Sequence, residues 1–454
     1  VLLESINPTD GAVLGQYNEH TDAQLDSILT RAASVQAGWR RQSFNERARV
    51  VARVGALLRS RQKEHAALIT REMGKPLRQA EAEIEKCAAC CDYYAENAAG
   101  FLAPEHTKTE ATRSYVVFQP LGVLLAIMPW NFPFWQVIRA AIPALMASNA
   151  VVLKHASNVT GCALAVEAIF REAGAPEGLF AAVLVSSKRA SALVEHRAIA
   201  AVTLTGSTAA GASVAAAAGA NLKKTVLELG GSDAYVVLGD ADIEAAAAAC
   251  VTSRLINSGQ SCIAAKRFIV VESVRPRFEE LFAEKMRAQK VGDPFDPETT
   301  IGPLARHDLR ETLEDQVQRS LRAGAKPLLG GTRLTGPGAF FPPTVLTGVR
   351  PGMSAFDEET FGPVAAIVPA ADEEQAIVLA NTTVFGLGAA VFTKDAARGE
   401  AVARELEAGC CFVNDYVRSD PRLPFGGIKQ SGYGRELGQA GIREFVNAKT
   451  ICVR

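Results

Sequence analysis

Cys262 closes the run "NSGQSC", residues 257–262, and is followed at once by the apolar and basic stretch "IAAKRFIVV". A thiol is nucleophilic only as thiolate, and with an ordinary pKa of about 8.5 only a few per cent is ionised at neutral pH, so a working cysteine needs an activating neighbour. The glycine, hydroxyl and amide residues before Cys262 expose backbone where a core position would pack it, which suits a nucleophile; a buried spectator thiol is the competing reading. A base is available in Glu228 of "VLELGG", where two glycines after a strand permit close approach and side-chain freedom. A solvated strand-end carboxylate fits the same residues. Asn131 of "MPWNFPFW" lies between apolar residues and prolines, where an amide needs hydrogen-bonding work. It could donate to a developing oxyanion or cap a turn. Nucleophile, base and oxyanion donor are the parts of an attack on a carbonyl carbon.

A phosphate-binding turn is the second chemical feature. In "TLTGSTAAG" a strand runs into Gly206, Ser207, Thr208 and Gly211 and then into a helix. Such a turn presents backbone N–H groups and a helix dipole to a pyrophosphate. The full GxGxxG pattern is missing, so an ordinary tight strand-to-helix turn fits equally. Lys154 of "VVLKHASN" ends an apolar strand, where a cation needs an anionic or hydroxyl partner, and Ser157 follows three residues on. The histidines, at 20, 65, 106, 155, 196 and 307, are scattered, and Cys87 and Cys90 form a CxxC with no second pair. No catalytic metal is expected, and the CxxC reads as helix packing.

These residues must be positioned by a large frame. A chain of 454 residues exceeds the size at which one core stops growing, so two domains or three are expected. From 21 to about 102 the apolar period is helical, and "SFNERARVVARVGALLRSRQ" opens on a capping box, Ser43 with Glu46. A β-rich stretch follows at 113–130. From Ala150, short apolar runs alternate with helical segments, the pattern of βαβ units on a parallel sheet. A second such block begins near "SDAYVVLGD", with a hinge at Gly230 and Gly231. The net charge of −1 gives no reason to expect a nucleic-acid partner, and no apolar run is long enough to suggest a membrane partner. Nine cysteines, an odd number, with no leader at the start of the chain, point to reduced thiols and a cytoplasmic protein.

The motifs "PWNFPFW", "LTGSTAAG", "LELGG", "GQSC", "EETFGPV" and "PFGGIKQSGYGRELG", in that order, resemble the aldehyde dehydrogenase superfamily, and the resemblance runs from "INPTDG" to "VNAKTICVR". It implies an α/β chain with a Rossmann-type cofactor domain (1–101 and 121–231), an α/β catalytic domain (232–431) and a small β oligomerisation arm (102–120 and 432–454). It further implies Cys262 as nucleophile, Asn131 with the Cys262 N–H as oxyanion hole, and Glu228 as the base for thioester hydrolysis. Trp130, Lys154, Ser157, Gly206, Ser207, Glu359 and Phe361 would bind the dinucleotide. Many NAD-selective members carry a glutamate where this chain has Ser157. Its absence removes the repulsion of a 2′-phosphate, so NADP is expected, with NAD as the alternative.

The family's succinate-semialdehyde members place an arginine eight residues after the oxyanion asparagine, where Arg139 stands, and Ser419 in the loop before "PFGG" would assist. A carboxylate at the far end of a four-carbon aldehyde would be held by that guanidinium fork and hydroxyl. Ile256, six residues before the nucleophile, replaces a second arginine found in some members; Arg254 lies two further back. Ala264 stands where some members have a second cysteine, so no redox disulfide with Cys262 is expected. The expected activity is oxidation of succinate semialdehyde to succinate through a thiohemiacetal and a thioester. A dehydrogenase for another aliphatic or aromatic aldehyde, or a non-redox cysteine esterase or binding protein on this scaffold, are the alternatives. The chain is expected to form a homodimer or homotetramer.

Overall fold

The site is framed by the ends of two parallel sheets. The computed structural model describes residues 2–454. In the first sheet the strands lie in the order Gly432–Tyr433, Lys224–Glu228, Ile199–Thr205, Val123–Met128, Ala150–His155, Phe180–Ala182. All neighbours are parallel except the short Gly432–Tyr433 edge. The chain lays Val123–Met128 in the middle, builds outward through Ala150–His155 and Phe180–Ala182, then returns to the other side. A ligand crevice opens at the carboxyl ends of the strands where such a sheet reverses direction. Here those ends deliver Asn131 just after Met128, Gly206 just after Thr205, and Glu228 at its own strand end. Ala150–His155 is buried along its whole length, as a strand covered on both faces must be.

The second sheet has seven strands, ordered Lys326–Leu329, Thr344–Thr347, Val364–Ala370, Arg267–Val271, Ala234–Val237, Gly388–Phe392, Cys410–Val413. Only Lys326–Leu329 is antiparallel to its neighbour. The chain passes between the sheets over 229–233, where the glycine pair lies. Helix Asp22–Trp39 packs on the first sheet, Phe44–Ser60 and Leu77–Phe101 pack on each other and on helix Trp135–Met146, which lies against that sheet, and the capping box at Ser43 forms, with the Ser43 N–H donating to Glu46 Oε2 at 2.7 Å. Cys87, Cys90 and Cys91 face the core of the last of these helices as free thiols. No helix among the described residues is long and apolar enough to cross a membrane.

A three-stranded sheet stands apart, ordered Val446–Val453, Arg113–Pro120, Glu105–His106. Its boundary differs from the expected 432–454 segment. Gly432–Tyr433 pairs with Glu228 and Leu227 of the first sheet, and helix Gly438–Glu444 packs near Leu77–Phe101, so the chain joins the arm only at Val446.

One buried ion pair links the helical layer to the site. Lys75 and Glu83 form a salt bridge with both side chains almost fully buried, and Glu83 Oε1 also accepts the backbone N–H groups of Phe134 and Trp135, each at 2.9 Å. The Lys75 ammonium also lies 3.7 Å from the Phe132 ring centroid. The carboxylate therefore holds the turn that follows Asn131. Removing one partner of such a pair leaves a buried charge uncompensated. Glu83→Ala is expected to destabilise the fold by about 3–5 kcal/mol, read as a lowered midpoint of urea unfolding, and an unchanged midpoint would contradict this role.

Candidate active site

The short polar run before Cys262 is explained by its backbone. Helix Ile243–Leu255 ends, and Asn257, Ser258 and Gly259 then take three successive left-handed conformations, φ 54°, 56° and 79°. Asparagine and glycine tolerate that region, and other side chains are strained there. Gly259 also has no room for a side chain: a Cβ would stand 2.2 Å from the Gly362 carbonyl oxygen. Several polar groups tie the run to its surroundings. Ser258 Oγ accepts from the Gly302 N–H at 2.9 Å, Gln260 Oε1 from the Ala305 N–H at 2.9 Å, and the Gly259 carbonyl from Arg254 Nη2 at 2.7 Å. Arg254 is thereby a strut of this loop, fully buried.

Asn131 is cross-tied to the same loop. Its Nδ2 donates to the Gln260 carbonyl at 3.0 Å, and its own carbonyl accepts from Asn257 Nδ2 at 2.7 Å. An amide nitrogen carries two hydrogens, so one remains after the plane is fixed. Cys262 is half-buried, and its carbonyl accepts from Lys266 Nζ at 2.6 Å. Burial pushes its thiol up to about 12, against the opposing pull of Arg139 and Lys266. The resting group is a thiol that needs a base.

Glu228 is buried, and neither carboxylate oxygen has a hydrogen-bond partner among the described residues. Burial first, and the nearby Glu436 second, raise its pKa well above the carboxylate range, while Arg139 and Arg435 oppose the rise. The carboxyl fits because position 426 is glycine: a Cβ there would lie 2.5 Å from Glu228 Oε1. A carboxyl so placed holds its proton tightly and, once ionised, is a strong base.

One cavity of about 200 Å³ gathers Asn131, Cys262, Gly206, Ser207, Glu359, Trp130 and Phe361. The Trp130 and Phe361 rings meet edge to face, centroids 5.8 Å apart. Glu359 Oε1 accepts from the Gly231 N–H at 3.1 Å and lies 3.5 Å from Lys266 Nζ. Gly230 allows this, since a Cβ would come within 2.7 Å of Glu359 Oε2. Ser207 caps helix Thr208–Ala220, accepting from the Ala210 N–H at 3.3 Å, so the helix start opens toward the cavity. The Gly206 N–H is spent on the Glu228 carbonyl at 3.0 Å. Lys154 is buried at its strand end, and Ser157 is exposed three residues on. A helix start, an anchored carboxylate, two flat rings and a glycine cradle suit a dinucleotide.

Arg139 and Ser419 lie outside this cavity. Arg139 is buried, with Nε 2.5 Å from Glu436 Oε2 and Nη2 donating to Thr205 Oγ1 at 3.2 Å. Its charge is spent on Glu436, a geometry unlike the fork expected to face substrate. Ser419 Oγ accepts from Lys86 Nζ at 2.7 Å. Reading the sequence missed Lys266, Lys86 and Glu436. Lys266 had a signal like that of Lys154, a lysine next to an apolar strand, whereas Lys86 lies in a helical stretch and Glu436 in the "PFGGIKQSGYGRELG" motif with no local signal of burial.

The aldehyde dehydrogenase family matches residues 2–451, and the chain belongs to it. It is 47% identical, over 98% of its own length and 97% of the other, to the succinate semialdehyde dehydrogenase [NAD(P)+] Sad of Escherichia coli. A probable succinate-semialdehyde dehydrogenase [NADP(+)] of Synechocystis is 48% identical, with 99% of each chain covered. Among solved structures, the succinic semialdehyde dehydrogenase of Streptococcus pyogenes in complex with NADP+ superposes with a TM-score of 0.97 at 39% identity, covering 99% of both chains.

A thiol with a pKa of about 12 stays on the rising part of its ionisation curve throughout the accessible range. Alkylation of Cys262 in the unliganded protein, followed by peptide mass spectrometry, should therefore accelerate about tenfold per pH unit from about pH 7 to pH 10. A plateau near pH 8 would show that a charged partner activates the resting thiol.

Proposed function

We propose that the chain oxidises succinate semialdehyde to succinate with reduction of NADP, NAD being the alternative acceptor. The reading is carried by the convergence of Cys262, Asn131 and Glu359 on one cavity, with the buried Glu228 behind it. The Escherichia coli and Synechocystis relatives, named for this substrate along nearly their whole length, support it.

Cys262, deprotonated with the help of Glu228, forms a C–S bond to the aldehyde carbon, and the carbonyl π pair moves to oxygen. The free hydrogen of Asn131 Nδ2 and the Cys262 N–H hold that alkoxide. Because Gln260 already fixes the amide plane, these donors need no reorganisation. Bound in the cleft, a nicotinamide dinucleotide supplies the hydride acceptor that the oxidation to the thioester requires. Ser207 and Gly206 serve the phosphate side, Lys154 and Ser157 the adenosine ribose, Glu359 the nicotinamide ribose, and Trp130 and Phe361 wall the ring. Glu228, having passed the thiol proton on to solvent, then removes a proton from water as the oxygen attacks the thioester, and the C–S bond breaks to release succinate and the Cys262 thiolate. Its raised proton affinity, from burial and from Glu436, suits that task.

Ser157 supports the NADP preference, since an exposed hydroxyl beside Lys154 repels no phosphate. The outer edge of Val446–Val453 is unpaired and mostly exposed, a strand that self-association would cover, in a homodimer or homotetramer. We assign the cofactor domain to the six-stranded sheet, the catalytic domain to the seven-stranded sheet and the arm to the three-stranded sheet. Nine unpaired thiols fit a reducing, cytoplasmic setting.

A steady-state panel of succinate semialdehyde, glutarate semialdehyde, butanal and benzaldehyde with each cofactor tests the reading. Succinate semialdehyde with NADP should give the highest kcat/KM, and Cys262→Ala should abolish aldehyde-dependent reduction; residual turnover in that variant would refute the covalent route. Ser157→Glu should shift preference from NADP toward NAD by about tenfold or more, the effect of one unfavourable charge contact. An unchanged ratio would mean that this position does not see the 2′-phosphate.

A further inference from the structure

A second cavity lies on the other side of the Asn131 turn. It measures about 560 Å³, and Phe132, Trp135, Leu255, Ile256 and Tyr416 contribute to its wall. Residues 130–136 separate the two spaces: Trp130, Asn131 and Gln136 face the cavity that contains Cys262, and Phe132 and Trp135 face this one. Ile256, six residues before Cys262, puts the nucleophile loop on the same wall.

Two charged side chains line this largely apolar space, Lys86 and Glu83. Glu83 is consumed by Lys75 and by two backbone N–H groups. Lys86, by contrast, forms no ion pair among the described residues. Its ammonium donates to Ser419 Oγ at 2.7 Å and lies 4.3 Å from the Trp135 ring centroid. Asp420, an acid on the facing loop that feels the Lys86 charge, is engaged by Arg422 at 2.6 Å. Arg139 is neutralised by Glu436. The walls thus leave one half-buried cation without an ion pair in a largely apolar space, and a partly desolvated charge of that kind favours an anion.

We propose that Lys86, with Ser419 beside it, is the seat of the substrate's distal carboxylate. This inference rests on the function proposed above and names the residue that would select a short ω-carboxy aldehyde. The Ser419 hydroxyl accepts from Lys86 and keeps its own hydrogen for one carboxylate oxygen, while the ammonium has further hydrogens for the other. The methylenes of the substrate would run along Phe132 and Trp135. Arg139 acts from beneath, on the charge balance between Glu228 and Glu436.

The groups facing Lys86 are Glu83, Cys87 and Cys90 on its own helix, Arg139 on helix Trp135–Met146, and Asp420 on the loop. Burial, with Arg139 second, holds the ammonium down at about 8. A carboxylate needs the protonated form, so kcat/KM for succinate semialdehyde should lose its advantage over butanal above about pH 8.

The test compares wild type, Lys86→Met and Lys86→Arg with succinate semialdehyde and with butanal, and measures succinate binding to the cofactor-free proteins by calorimetry. Lys86→Met should lower the ratio of the two kcat/KM values by about 10- to 100-fold and weaken succinate binding to a similar degree. Lys86→Arg should retain most of the ratio and keep it above pH 8. Butanal turnover in the Met variant reports on folding. A wild-type ratio in Lys86→Met would overturn the seat while leaving the proposed function standing. No preference for succinate semialdehyde in the wild type would overturn both.

Discussion

Two hydrogen bonds running in opposite directions join the loops that carry the chemistry. Asn131 Nδ2 donates to the Gln260 carbonyl, and Asn257 Nδ2 donates to the Asn131 carbonyl. One loop leaves the end of a strand in the first sheet, and the other precedes a strand of the second. Without the tie, Asn131, the proposed oxyanion donor, and the Cys262 sulfur would sit on loops of two different sheets with nothing to fix their spacing, and fixed donors are what make a tetrahedral alkoxide inexpensive to form. Supports radiate from it: Glu83 holds the far side of the Asn131 turn, and Arg254, Gly302 and Ala305 hold the left-handed loop.

Charge is distributed around this tie in graded fashion. Lys266 binds the carbonyls of Ser261 and Cys262 and lies next to Glu359, so one buried ammonium connects the Cys262 backbone with the anchored carboxylate of the same cavity. On the opposite side, Arg139 stands between Glu228 and Glu436 and limits how far burial can raise either carboxyl. Burial raises the proton affinity of both Cys262 and Glu228 in such surroundings. A thiol whose pKa is raised in this way is also protected from stray electrophiles and oxidants.

Much of this was legible in the chain itself, because glycine and small polar residues mark places where backbone and carboxylates come close. Gly230, Gly259 and Gly426 each sit where a methyl group would collide with Glu359, with Gly362 or with Glu228. The quoted motifs contain those glycines, which is why they point to the site. The end of the arm was not legible in the same way. Nothing in "SGYGRELG" distinguishes a strand edge on the cofactor sheet from the start of an arm, since the pairing partners, Leu227 and Glu228, are more than two hundred residues away. Arg139 illustrates the limit more sharply. Its position in the motif places it near the substrate, but its partner Glu436 lies in a distant segment and takes its charge.

The sequence by itself determined the alternation of strands and helices, the family, and the side chains able to attack, donate and abstract, because those depend on local periodicity and on residue type at short spacing. Only the tertiary structure decided which charges remain available. Ionic pairing is a property of distance in space, so the commitment of Arg139 to Glu436, the use of Glu83 by Lys75, and the uncompensated Lys86 facing its cavity emerge only when the helical layer closes over the sheets.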